Sequence, residues 1–275
     1  MEPMDILQTI ILALIQGITE FLPISSSGHL ILPKELFDWP DQGLIFDVAV
    51  HVGTLAAVVL YFRHDISEIV VGGFKTLGGN FSDPAGRLAW MIVIATIPAG
   101  LAGLVFGDFI ESNLRSMAVI ATTTIVFGIL LGVADQKNLY RKGEAKTLVQ
   151  VGIGTAIFIG CAQALALMPG TSRSGVTITA ALLLGFNREA SAKFSFLLSI
   201  PAILLSGMYS GYKSIELVGV EGIDWNAIIV GVVVSAISAY ICIHYFLSFI
   251  NRLGMMPFVY YRLVLGAILF FLVFS

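Results

Sequence analysis

Apolar residues gather in six long segments, near 46–62, 87–106, 118–134, 190–210, 225–249 and 259–274. With interfacial residues counted, each reaches the length of about 20 helical residues that a hydrocarbon core demands. Two further apolar stretches, 6–36 and 147–186, are interrupted midway. The interruptions are Pro23-Ile24-Ser25-Ser26-Ser27-Gly28-His29 and Pro169-Gly170-Thr171-Ser172-Arg173-Ser174-Gly175. Proline, glycine and hydroxyl residues cannot continue a lipid-exposed helix, so both stretches predict re-entrant helical hairpins. Between Asp65 and Arg87, Ile66, Ile69, Val70, Val71 and Phe74 alternate with Glu68 and Lys75, the pattern of a helix lying on the cytoplasmic membrane interface.

The two interruptions are copies. A shift of 147 positions carries Gln16 to Gln163, Ser25 to Ser172, Ser27 to Ser174 and Gly28 to Gly175. Positive charge accumulates in cytoplasmic loops. Arg63, Lys75, Arg87, Lys137, Arg141, Lys142, Lys146, Arg188, Lys193, Arg252 and Arg262 fall on one side only if both hairpins return to the side they enter from. Lys34, Arg115 and Lys213 then lie outside. The expected fold is an all-α integral membrane protein with an inverted-topology repeat: six transmembrane helices plus two re-entrant helical hairpins. Residues 1–275 form a single membrane domain, with 1–134 as the first repeat and 147–275 as the second.

Composition agrees: 57% of residues are hydrophobic and 12% charged, with a mean hydropathy of +0.92, too little polar surface for a soluble domain of this size. The net charge of −3 offers no basic stripe to replace counterions on a phosphate backbone, which excludes nucleic acid as a partner. Cys161 and Cys242 lie in apolar runs and read as buried thiols without disulfide or metal spacing. The start Met1-Glu2-Pro3-Met4-Asp5 is acidic where a signal peptide is basic, so the first helix is expected to be retained. Gly100, Ala102 and Gly103 permit close helix contact, either within the chain or in a homodimer.

Chemistry concentrates at the interruptions. Gln16 and Glu20 are four apart and share a helix face. An intramembrane carboxylate costs about 3 kcal/mol or more unless compensated and usually marks an ion, proton or substrate path. The bland alternative is a neutral Glu fastening two helices, which the three serines, glycine and histidine that follow within nine residues weaken. At each interruption a helix restarts at depth, leaving N–H groups unpaired and a partial positive charge. With the hydroxyls of Ser25, Ser26, Ser27, Thr171, Ser172 and Ser174, and glycines such as Gly28 and Gly175, these ends make a phosphate cradle. Arg173 adds a fork that grips phosphate bidentately, against the alternative of an arginine satisfying helix-end carbonyls. His29 has Val176 as its counterpart, so the repeat diverges where proton chemistry is needed; this favours an enzyme over a symmetric pore. His51, in a crossing helix, reads as a packing or supporting residue. A secondary transporter or lipid flippase is the rival reading, because inverted repeats with broken helices are also a transporter architecture.

At these residues the chain resembles the undecaprenyl pyrophosphate phosphatases of bacterial inner membranes, the enzymes also named for bacitracin resistance. Gln16 through Glu20 matches that family's [E/Q]xxxE pattern, Pro23 through His29 its serine-glycine-histidine stretch, and Pro169 through Gly175 its PGxSRSG motif. The resemblance implies hydrolysis of undecaprenyl diphosphate to undecaprenyl phosphate and inorganic phosphate at a site facing the outer side of the inner membrane. It further implies Glu20 as an acid linked to a divalent cation (Mg or Ca), Ser26 as nucleophile, His29 as proton-transfer partner and Arg173 as phosphate clamp. Ser25, Ser27, Thr171, Ser172 and Ser174 complete the shell. Gln16 stands where many relatives carry glutamate, which leaves one carboxylate for the cation.

Overall fold

The computed structural model describes residues 5–80, 82–141, 143–218 and 223–274; Met1 to Met4 and Lys142, used above, lie outside the described residues. The chain is helical: α1 (Ile6–Thr19), α2 (Ser26–Leu30), α3 (Leu32–Phe37), α4 (Gly43–Tyr61), α5 (Arg63–Leu77), α6 (Pro84–Asn113), α7 (Met117–Leu139), α8 (Ile153–Leu165), α9 (Arg173–Leu183), α10 (Arg188–Val218), α11 (Trp225–Leu253) and α12 (Met256–Phe274). Among the described residues, α4, α6, α7, α10, α11 and α12 are long and apolar enough to cross a membrane. They are the six segments read from the apolar pattern. Large apolar side chains cover their outer faces, Leu104 at 77% exposure and Phe271 at 71%, a surface that only hydrocarbon can solvate. The protein is a multi-pass membrane protein.

The ends of these helices sort by charge. At one end Lys193 pairs with Asp65 at 2.5 Å, joining α10 to α5. Arg188 grips Asp135 with two bonds of 2.7 and 3.0 Å, joining α10 to α7, and Met255 N–H donates to the same carboxylate at 3.1 Å. Arg63 and Lys75 lie in the first and last turns of α5, Arg87 in the first turn of α6, Lys137 in the last turn of α7 and Arg252 in the last turn of α11. The opposite end carries Lys34, Arg115 and Lys213, the last 3.6 Å from Glu111. Here α5 is a helix packed on α6.

Two expectations are corrected. Cys161 is exposed and Cys242 half-buried, each a free thiol, because α8 buries the face of Ala156, Ile159, Gly160 and Gln163 and turns Cys161 outward. Arg262, counted above with the loop cations, is fully buried on α12. Backbone carbonyls that lost their helical partners at the interruptions accept its hydrogen bonds, so it has no need of a solvated loop.

Asp135 is fully buried and is the joint of three helices. Replacing it with alanine strands the Arg188 charge and should lower stability by about 3–5 kcal/mol. Thermal unfolding in detergent measures this, and an unchanged midpoint would contradict the joint.

Candidate active site

The chain leaves α1 at Glu20 and re-enters helix at Ser26; it leaves α8 at Ala166 and re-enters at Arg173. Each motif therefore breaks the helix in its front half only, and its rear half is already helical. The two restarts are built alike. Ser25 (φ 74°, ψ 97°) and Ser172 (φ 68°, ψ 112°) both hold positive φ, a costly conformation for a residue with a Cβ. Each accepts from the N–H three residues on, Gly28 to Ser25 Oγ at 3.4 Å and Gly175 to Ser172 Oγ at 3.2 Å. Each also bonds the hydroxyl two residues on, Ser27 at 3.1 Å and Ser174 at 3.2 Å. These caps satisfy helix-start donors and hold the strained backbone in place. Ser26 and Arg173 occupy the same first helical position of α2 and α9.

The two restarts meet. Ser174 Oγ donates to Leu22 O at 2.9 Å, and Gly170 N–H donates to Ser27 Oγ at 3.4 Å. Gly170 holds φ 86°, and a Cβ there would press on Ile120 and Thr123 of α7. The decisive contact is ionic: Arg173 Nη2 donates to Glu20 Oε1. The second carboxylate oxygen accepts from Gln16 Nε2 at 2.8 Å and Ser26 Oγ at 2.9 Å, and His51 Nε2 stands 3.6 Å away. Glu20 is buried. Here Arg173 finds the acidic partner that its sequence neighbourhood lacks, 153 positions away.

A cavity of about 440 Å³ reaches this cluster. Ser26, Ser27, His51, Ile120 and Pro169 line its depth, and Lys34, Asp41 and Arg115 lie toward the cation-poor end. At that end, which is poor in cations but not in carboxylates, a hydrogen bond from Lys34 holds the Asp41 carboxyl below its ordinary range. Of the catalytic and substrate-binding residues expected from sequence, only Ser26 and Ser27 line the cavity. Ser25, Gly28, Ser172, Ser174 and Gly175 serve the caps and the joint between restarts. Thr171 is fully buried, and its hydroxyl has no hydrogen-bond partner among the described residues. His29 is buried, with Nδ1 2.6 Å from Ser25 O and Nε2 2.6 Å from the Tyr261 hydroxyl, away from the Glu20 carboxylate that His51 approaches. His51, read from sequence as a packing or supporting residue, stands beside Glu20; the contact of Tyr261 with His29 and the burial of Arg262 were not foreseen. For Arg262 a signal existed: an arginine inside an apolar helix.

Among the described residues no group of three His, Cys, Asp or Glu side chains could hold a metal ion. One oxygen donor is nevertheless unclaimed. Gln16 is fully buried and its Oε1 has no hydrogen-bond partner among the described residues, while its amide nitrogen donates to Glu20. A hard cation sharing its shell with phosphate oxygens fits that pair.

Residues 9–268 match the family Bacitracin resistance protein BacA. The chain belongs to this family. It is 65% identical to a protein of Saccharophagus degradans named undecaprenyl-diphosphatase, over 98% of this chain and 99% of the relative. Its identity to the undecaprenyl-diphosphatase of Teredinibacter turnerae is 62%, over 97% and 99%. With undecaprenyl-diphosphatase 1 of Pseudoalteromonas translucida it is 54%, over 96% and 97%.

The matched caps predict matched costs. Ser25→Ala and Ser172→Ala should each lower stability by about 1 kcal/mol, and the double variant by more than the sum because the capped segments brace each other. Unfolding in detergent reads both values, and strict additivity would contradict the shared joint.

Proposed function

We propose that the chain hydrolyses undecaprenyl diphosphate to undecaprenyl phosphate and inorganic phosphate, returning the lipid carrier for cell-wall synthesis. One observation carries the reading: a serine hydroxyl, a carboxylate and an arginine form one connected chain across both helix restarts, with the serine lining the cavity. The names and near-full-length identity of the relatives support the substrate, and no observation favours the transporter alternative.

Phosphoryl transfer asks mainly for positioning and charge neutralisation. In this account Arg173 exchanges Glu20 for the terminal phosphate, gripping it bidentately as the diphosphate arrives. Released from Arg173, Glu20 takes the proton of Ser26 Oγ, from which it already accepts a hydrogen bond. Ser26 Oγ then bonds to the terminal phosphorus as the bond to the bridging oxygen breaks, and undecaprenyl phosphate leaves. Water hydrolyses the phosphoserine, returning a proton to Ser26 and releasing inorganic phosphate. His51 supports the Glu20 carboxylate, which gives the proton taken from Ser26 to the departing bridging oxygen, and His29, bonded to Ser25 O and the Tyr261 hydroxyl, positions the first restart. Glu20 and Gln16 would hold a divalent cation, whose contribution is neutralisation of charge on the diphosphate. Ser27, the capped segments containing Ser25, Gly28, Ser172, Ser174 and Gly175, and buried Thr171 shape the cradle around it.

The same reading makes residues 1–134 and 147–275 inverted repeats of one membrane domain, with 6–36 and 147–186 as re-entrant hairpins. Two features support it. The restarts share cap geometry, and packing pairs exchange under the shift of 147: α1 on α11 mirrors α8 on α6, and α4 on α11 mirrors α10 on α6. The membrane is the bacterial inner membrane. The cation-rich end faces the cytoplasm by the positive-inside rule, so the cavity opens outward. At Gly100 an added Cβ would meet open space, which suits a seam with a second copy of the chain.

Phosphate release from undecaprenyl diphosphate by the purified protein tests this. Glu20→Gln, Ser26→Ala and Arg173→Ala should each lose at least about 100-fold in turnover, and chelation should abolish a rate that Mg or Ca restores. A wild-type protein releasing no phosphate would refute the function. Near-normal turnover by Ser26→Ala would replace serine attack with attack by water.

A further inference from the structure

Arg262 is buried completely inside an otherwise apolar helix. Its guanidinium lies where two glycines leave room: a Cβ at Gly175 would stand 2.9 Å from Nη1, and one at Gly128 would stand 3.0 Å from the Arg262 Cβ. All its hydrogen bonds among the described residues go to backbone carbonyls. Nε donates to Thr124 O at 3.0 Å, Nη1 to Pro23 O at 3.3 Å, and Nη2 to Thr123 O, Gly170 O and Thr171 O at 3.4, 2.9 and 3.0 Å. Pro23 belongs to the first helix interruption, Gly170 and Thr171 to the second, Thr123 and Thr124 to α7. One side chain thus ties both interruptions to a crossing helix.

The charge balance is uneven. Glu20 is taken by Arg173, and no described carboxylate pairs with Arg262. Carbonyl dipoles lower the cost of burying a cation but do not cancel its charge. Among Glu20, Arg173 and Arg262 one positive charge therefore has no carboxylate partner among the described residues, a state expected of a site that waits for an anion. The carbonyl bonds also orient the chain. In a trans peptide the C=O and N–H point in opposite directions, so with Thr171 O turned to Arg262 the Ser172 N–H points away from it, at the start of α9. The eleven-residue α9 adds its own N-terminal partial charge in the same place.

We propose that Arg262 is the positioning residue of the diphosphate site, fixing the two interruptions at one spacing and supplying from behind the backbone the unpaired positive charge that draws the substrate's anionic head. This rests on the diphosphatase reading for its substrate, but the anion-binding part stands apart from catalysis.

The test is calorimetric titration of inorganic pyrophosphate into purified wild type, Arg262→Lys and Arg262→Met, alongside thermal unfolding and steady-state phosphate release. Arg262→Lys keeps the charge and loses the fork. Its pyrophosphate affinity and KM should stay within about threefold of wild type while kcat falls about tenfold or more. Arg262→Met should lose about tenfold or more in pyrophosphate affinity. A folded Arg262→Met with wild-type affinity and KM would overturn the proposal. Should Arg262→Met fail to fold, the lysine variant decides: unchanged kcat, or affinity lost together with kcat, would overturn it. A wild type that binds no pyrophosphate would also overturn it. A wild type that binds pyrophosphate through Arg262 yet releases no phosphate would refute the diphosphatase reading and leave this inference standing.

Discussion

The ion pair between Glu20 and Arg173 is the contact on which the rest of the site depends. It joins residues 153 positions apart, one leaving α1 and the other starting α9, and gives the buried Glu20 and the partly buried Arg173 each an opposite charge. Without it, Gln16 and Ser26 would donate to a carboxylate with no counter-charge. With it, a hydroxyl, a carboxylate and a guanidinium are held in one connected arrangement next to a cavity.

Around that contact the backbone is deliberately strained. Ser25 and Ser172 keep positive φ, and serine is the residue that can offset the conformational cost there, because its hydroxyl caps the helix that follows. Arg262 collects the carbonyls that the interruptions release. Packing supplies the remaining rigidity: Phe21, next to Glu20, stacks edge-on against Phe196 of α10 with centroids 5.2 Å apart. The functional groups are thus held by helix ends and core aromatics rather than by loops, which suits chemistry that depends on position.

The apolar pattern disclosed all six long helices to within a few residues at most ends, because membrane length and hydropathy constrain them strongly. The broken stretches were equally legible, since proline and glycine inside an apolar run have few other uses. Ser26, Glu20 and Arg173 were named from the motifs, and they do come together. What sequence could not give was the division of labour among hydroxyls. Ser25 and Ser26 are chemically identical neighbours, and only the turn of the backbone makes one a cap and the other a cavity wall. Arg262 was misplaced because charge counting treats every cation near a helix end as a loop charge. The approach of His51 to Glu20 was not legible because the two are distant along the chain, and no local spacing announces such a meeting.

The most direct test of the central contact is a double-mutant cycle on stability in detergent with Glu20→Gln, Arg173→Gln and the double variant. Each single change leaves a buried charge unpaired and should cost about 3–5 kcal/mol, whereas the double change removes both charges and should cost clearly less than the sum. Costs that simply add would mean that the two residues do not meet, and the site built upon their meeting would fall.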